Sequence, residues 1–144
     1  MSNKAIGTRF EQDFIAILSE NRFWVHRFQE NKNGQPCDVV AVRDGKAYLF
    51  DCKSCEGTFF RLDRMEENQI CAMDLFDRTG NGKGMFAIRF REDSTVYLVP
   101  YDRLLELKKA GFGRINATVC RLQGMTLSDW LEKGGCADGD YHRQ

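Results

Sequence analysis

Apolar residues recur along positions 5–21 as Ile6, Phe10, Phe14, Ile17 and Leu18, the three-and-four spacing of a helix with one buried stripe. The period then shortens. Phe23, Trp24, Val25, His26, Arg27 and Phe28 are rich in strand formers, with His26 alternating between Trp24 and Phe28 as a packing residue, and positions 31–36 read as an exposed turn. Two further strand patterns, 38–43 and 46–53, are separated only by Asp44-Gly45, a strong short-range hairpin signal. Leu62, Met65, Gln69, Ala72 and Phe76 mark a second helix, with Asp63 and Glu66 at capping-box spacing, and the stretch 80–84 ends it. Positions 85–90 and 95–100 pattern as another antiparallel pair, and 101–110 as a third helix. The order is therefore α, β, β, β, α, β, β, α. Segment 111–124 fits neither period, 126–133 reads as a short helix capped by Thr126 or Ser128, and the final residues are expected to fray.

A chain of 144 residues with 42% hydrophobic and 29% charged positions fits one compact domain spanning 1–144, with its core at about 4–107 and an extension at 111–144. No run of eighteen apolar residues occurs and no apolar leader follows Met1, so no membrane partner is expected and the cytoplasm is the expected location. Six cysteines in a chain able to build its own core read as reduced thiols. Lys+Arg and Asp+Glu each number 21, evenly distributed, so any surface for a polyanion must be assembled by folding.

The hairpin concentrates charge. If Asp44-Gly45 is a two-residue turn, Arg43 pairs with Lys46, and counting outward puts Asp38 across from Asp51 in a non-hydrogen-bonded pair, with Cα atoms about 4.5 Å apart. Like charges so placed repel, and a hard divalent cation with oxygen ligands converts that repulsion into attraction. Lys53, two residues beyond Asp51, shares its face. Magnesium or manganese on two carboxylates polarises a phosphoryl oxygen and acidifies a bound water, while a lysine orients that water or stabilises developing charge. This is equipment for phosphodiester hydrolysis.

At these residues the resemblance becomes specific. Pro36-Cys37-Asp38, then Asp51-Cys52-Lys53, resembles the PD-(D/E)xK nuclease signature, and Gly7-Thr8-Arg9-Phe10-Glu11 resembles the Gly-x-x-x-Glu element of the Holliday junction resolvases of that superfamily, archaeal and RecU types. The likeness extends to the strand pattern 84–90 and 96–100. Only ten positions separate Phe28 from Asp38, which leaves no room for the RecU-type insertion and brings the outline nearer the archaeal type. The resemblance implies an α/β, restriction-endonuclease-like αβββαβ core with a mixed central sheet flanked by helices. It also implies a homodimer cutting four-way or other branched DNA in recombination or repair. Asp38 and Asp51 would hold Mg²⁺, or Mn²⁺ in its place, with Glu11 and the Cys52 carbonyl completing the shell. Lys53 would act on the attacking water and Gln69 help place it.

Each residue also has a plainer reading. Asp38 suits a strand-start cap, Asp51 and Lys53 a solvated ion pair, Glu11 the half-exposed edge of a helix, and Gln69 a satisfied core amide. Cys52 and Cys55 have the spacing of a zinc or redox pair, but no second pair accompanies them. Lys4, Arg9, Lys32, Arg61 and Arg64 border the acidic centre as candidates for phosphate contact, with solvated surface charge as the default. Phe59 and Phe60 suit either base stacking or core packing. Rival functions are a nuclease of the same fold acting on flaps, single strands or duplex, and a catalytically silent DNA-binding module.

Overall fold

The computed structural model describes residues 2–29 and 36–134. Helix α1 (Asn3–Glu20) begins at Ser2, whose hydroxyl accepts the Ala5 N–H at 3.1 Å, and buries Phe10, Phe14 and Leu18 completely. Strand β1 (Trp24–Arg27) follows, then β2 (Val39–Arg43) and β3 (Lys46–Cys55). Asp44 and Gly45 both adopt positive φ, 54° and 76°, so the twist of the turn matches that of the strands it joins. The hairpin register is the expected one, from Arg43↔Lys46 to Val39↔Phe50. The turn expected at 31–36, with its candidate Lys32, and the frayed tail lie outside the described residues, Pro36 excepted.

Beyond β3 a two-residue strand β4 (Phe60–Arg61) runs into a single 3₁₀ turn, Leu62–Arg64, before α2 (Glu67–Asp77). The second helix thus starts later than its apolar spacing predicts. Leu62 is 1% exposed and belongs to the core as part of the 3₁₀ turn, and the capping box is formed by Glu66 and Gln69 rather than by Asp63 and Glu66. Strands β5 (Met85–Phe90) and β6 (Val96–Pro100) and helix α3 (Tyr101–Lys109) occupy their expected places. The segment without a period resolves into β7 (Arg114–Ile115) and α4 (Ala117–Gln123), capped by the Asn116 side chain. The two-residue strand β8 (Met125–Thr126) then leads into α5 (Leu127–Glu132), which Thr126 caps by accepting the Asp129 N–H.

The main sheet runs β1-β2-β3-β5-β6-β8, antiparallel except for β3 and β5, and β4 pairs with β7 in a separate two-stranded ladder. This is a mixed α/β sheet flanked by helices. On one face Phe10, Phe14 and Leu18 of α1 and Trp130 of α5 pack on Ala41, Phe50, Met85, Ala87 and Leu98. On the other, Met73 of α2, Leu104 of α3 and Cys120 of α4 pack on Leu49, Phe86, Ile88 and Val99. Alternation along β3 therefore sends Phe50 and Cys52 toward α1, and Leu49, Asp51, Lys53 and Cys55 toward α2.

Candidate active site

Asp51 sits mid-strand in β3 with 3% of its surface exposed, beside Phe86 in the parallel ladder with β5. The Lys53 ammonium lies 3.1 Å from Asp51 Oδ2 as an ion pair, and no other described group partners that buried oxygen. Burial raises the Asp51 carboxyl to about 8; the Lys53 charge pulls it down and the neighbouring Asp38 carboxylate pushes it up again. Such a group is costly to ionise where it stands.

Asp38 joins this centre by a route that register counting does not predict. The expected face-to-face pairing with Asp51 is not formed, because the β2–β3 ladder ends at Val39↔Phe50 and the Asp38 N–H donates to the Phe50 carbonyl at 3.1 Å, one residue out of register. On the other side Asp38 stays in step, its carbonyl accepting the Phe28 N–H at 2.8 Å. The offset lets Asp38 Oδ2 accept the Cys52 N–H at 2.8 Å. The two carboxyls still come near enough for the Asp38 charge to push the Asp51 carboxyl up.

Cys52 lies among three acids. Its thiol is raised far above the ordinary cysteine range, first by burial and then by the negative charges of Asp38, Asp51 and Glu11. Glu11, on α1, is held by the Arg27 guanidinium, 3.1 Å from its Oε1, a partner absent from the sequence reading. Among the described residues no three His, Cys, Asp or Glu side chains converge as a ready cage, so Glu11 borders the acid pair without closing on it.

A cleft of about 540 Å³ opens against the end of β3, lined by Gly7 and Glu11 of α1, by Cys52 and Ser54, and by Phe59, Arg61 and Arg64 of the segment leading to α2. Asp38, Asp51 and Lys53 are not part of this lining, and of the described basic candidates Arg61 and Arg64 belong to it. Arg64 donates to the Ser54 carbonyl at 3.0 Å, fixing this wall to β3. Lys4 and Arg9 are exposed on α1 and line no part of the cleft. Gln69 is 6% exposed and its side-chain oxygen accepts the Glu66 N–H at 3.1 Å, so its first task is to cap α2. The five described cysteines are free thiols.

The chemistry of the donor set fits a hard divalent cation: two adjoining carboxylates, one with a buried oxygen lacking a hydrogen bond, in a place where a second positive charge would remove the cost of ionising both.

Comparison with protein-family models matches residues 2–135 to the archaeal Holliday junction resolvase family, Hjc. The chain belongs to that family. It is accordingly a Holliday junction resolvase-like nuclease, a hydrolase that acts on branched DNA in recombination and repair. Among solved structures it is similar to Hjc from the archaeal hyperthermophile Archaeoglobus fulgidus, a Holliday junction resolvase, with a TM-score of 0.64 and 21% identity over 88% of this chain and 95% of that one. That likeness carries the mixed sheet flanked by helices. No curated protein matches. Among the described residues no helix is long and apolar enough to cross a membrane.

The site also contains residues that sequence reasoning missed. Arg114 of β7 places its guanidinium 4.0 Å above the ring of Phe59, a residue of the cleft lining, and it comes from the segment that fits neither period. Of the Phe59-Phe60 pair, Phe60 is wholly buried and Phe59 is exposed, so packing and a surface role fall to different rings.

Proposed function

We propose that this resolvase-like nuclease is Mg²⁺-dependent, with Mn²⁺ able to substitute, and that it works in the cytoplasm as a homodimer whose two sites cut strands of opposite polarity at a four-way junction. The observation that carries the reading is the buried Asp51 oxygen without a hydrogen bond, set between Lys53 and Asp38. Asp38 and Asp51 would hold the cation, with the Cys52 carbonyl and Glu11 completing the set. When bound, the cation supplies the positive charge that polarises a phosphoryl oxygen and acidifies a water.

The remaining steps belong to the chain. Lys53 donates to the attacking water and then to the charge that grows on the phosphate oxygens, in a space whose burial strengthens both contacts. Gln69 contributes through its NH₂, its oxygen being engaged in the helix cap. Arg61 and Arg64 hold the scissile strand by its phosphates from the cleft wall, and Lys4, Arg9 and Lys32 hold neighbouring phosphates, contacts that position DNA without reading its sequence.

The test is strand cleavage of a four-way junction, a flap and a linear duplex, with Mg²⁺, Mn²⁺ or EDTA, for wild type beside Lys53→Ala. Paired nicks in the junction that need the cation and vanish in the variant support the reading. Preferential cutting of flap or duplex moves it to another nuclease of this fold. Intact DNA with either ion makes the acids structural and the protein a binding module.

A further inference from the structure

The short ladder between β4 and β7 sets Arg61 directly opposite Arg114, both exposed. Like charges facing across a strand pair destabilise it, and this ladder is only two residues long. Arg61 has one exposed carboxylate nearby, Asp63 at 3.4 Å, and among the described residues no carboxylate pairs with Arg114. The ladder is nevertheless well anchored. Phe60 and Ile115 bury their side chains beneath it, and the Leu62 N–H donates to the Gly113 carbonyl at 2.9 Å. The ladder thus holds Arg61 and Arg114 opposite one another beside the cleft, with a single exposed carboxylate, Asp63, against the two charges.

Phe59 precedes this ladder. Its ring is 41% exposed and lines the cleft, with the Arg114 guanidinium 4.0 Å from the ring centre. A guanidinium on one face holds an aromatic ring in a chosen orientation and leaves its remaining surface to a further planar partner. Arg64, on the same wall, is bonded to the end of β3 and stacks over Phe60, with 5.7 Å to the ring centre. The aromatic ring and the two facing cations are therefore coupled to the strand that carries Asp51 and Lys53.

Resting on the nuclease reading, we infer that Phe59, Arg61 and Arg114 form a binding site for an unpaired or unstacked nucleotide of the DNA substrate, the base lying against Phe59 and its flanking phosphates against the two arginines. The chemistry selects this ligand. Phosphates supply the further negative charge that Asp63 alone does not give the facing arginines, and a nucleobase supplies a flat partner for the ring surface that Arg114 leaves open. Bases inside a continuous duplex are already covered on both faces, so Phe59 gains contact only where stacking is interrupted, as at a branch point. The site would then contribute to the choice of branched DNA over plain duplex, by an element of the chain that lies outside the metal-binding motifs.

The experiment measures binding by fluorescence anisotropy with the full chain in EDTA, where cleavage does not interfere. The probes are a labelled four-way junction, the same junction with abasic nucleotides at the branch point, and a linear duplex of equal length. Phe59→Ala should weaken junction binding roughly tenfold and leave duplex binding within about twofold. The loss should be absent on the abasic junction, and Phe59→Trp should restore it. Arg114→Ala should weaken junction binding and lower the slope of log affinity against log salt by about one. Melting temperatures of the variants, taken alongside, identify any that fail to fold, and Phe59→Trp then stands as the informative variant. The inference is overturned if Phe59→Ala weakens junction and duplex equally or neither, or if its loss persists undiminished on the abasic junction. Wild-type cleavage with Mg²⁺ is recorded in parallel. A wild type that cuts nothing yet shows the Phe59-dependent preference defeats the nuclease reading and leaves the binding site standing, whereas cutting without that preference does the reverse.

Discussion

Replacing Asp51 by asparagine should make the metal-free protein more stable while ending its activity. The carboxyl is 3% exposed and raised to about 8, against an ordinary 3.8, because burial outweighs the attraction of Lys53. For an acid whose folded value is raised, the favourable contribution is complete below the unfolded value and is lost as pH climbs through the folded one. At pH 7 the unfolded chain holds Asp51 ionised and the fold holds it largely protonated, a gap of roughly three pH units or about 4 kcal/mol against folding. Asparagine removes this term but also the carboxyl group that stands 3.1 Å from the Lys53 ammonium. We therefore expect a net gain of about 2 kcal/mol in EDTA at pH 7, on the order of 8 °C in melting temperature for a domain this size. The assay is thermal unfolding from pH 5 to 9. The wild-type midpoint should fall with rising pH relative to that of Asp51→Asn. Adding Mn²⁺ at about a hundred times its dissociation constant should then raise the wild type by about 2.7 kcal/mol and the variant by far less. A variant no more stable than wild type in EDTA, or parallel pH profiles for the two, would refute the claim that this carboxylate is strained by its surroundings.

Lys53→Arg should reduce single-turnover junction cleavage by at least about a hundredfold, because the ammonium is only 11% exposed and 3.1 Å from Asp51, and a larger, planar guanidinium does not reproduce its compact point charge; activity within tenfold of wild type would contradict this. Gly124→Ala should destabilise the fold by several kcal/mol (roughly 3 or more), measured by urea unfolding, since its new Cβ would run into the Leu98 carbonyl of β6, backbone that cannot swing aside. Asp93 is held below the usual carboxylate range by the Thr95 N–H and the Tyr97 hydroxyl. Its contribution is therefore present above the unfolded value and lost as pH falls through the folded one, so Asp93→Asn should lose less stability than wild type in urea titrations between pH 5 and 3.

The hairpin was legible because its chemistry is local: Asp44-Gly45 admits the two positive φ angles the turn requires, and a two-residue turn sets the register of everything up to Val39↔Phe50. One step further out the same counting failed. There Asp38 answers to two neighbours, remaining in step with β1 through Phe28 while slipping against β3, and pair counting within a hairpin contains no information about a third strand. The two acids nevertheless come near each other, because a carboxylate at the end of a side chain tolerates a slip of one residue, and the slip is what directs Asp38 Oδ2 to the Cys52 N–H. The capping box illustrates a second limit. Asp63 with Glu66 and Glu66 with Gln69 have the same spacing, and what chooses between them is the burial of Leu62 in a 3₁₀ turn, a tertiary fact. β7 lies beyond any local rule, since two residues have no period and Arg114–Ile115 is a strand only because Phe60–Arg61 stands beside it. The grouping of Asp38, Asp51 and Lys53 is legible in one chain segment because these residues are near in sequence on or beside paired strands. The wall that faces the substrate joins residues more than fifty positions apart, Phe59 and Arg114, and only folding puts them within 4.0 Å. Chemistry concentrated on one hairpin is thus open to sequence reasoning, whereas the choice of substrate depends on contacts between segments that have no local signature.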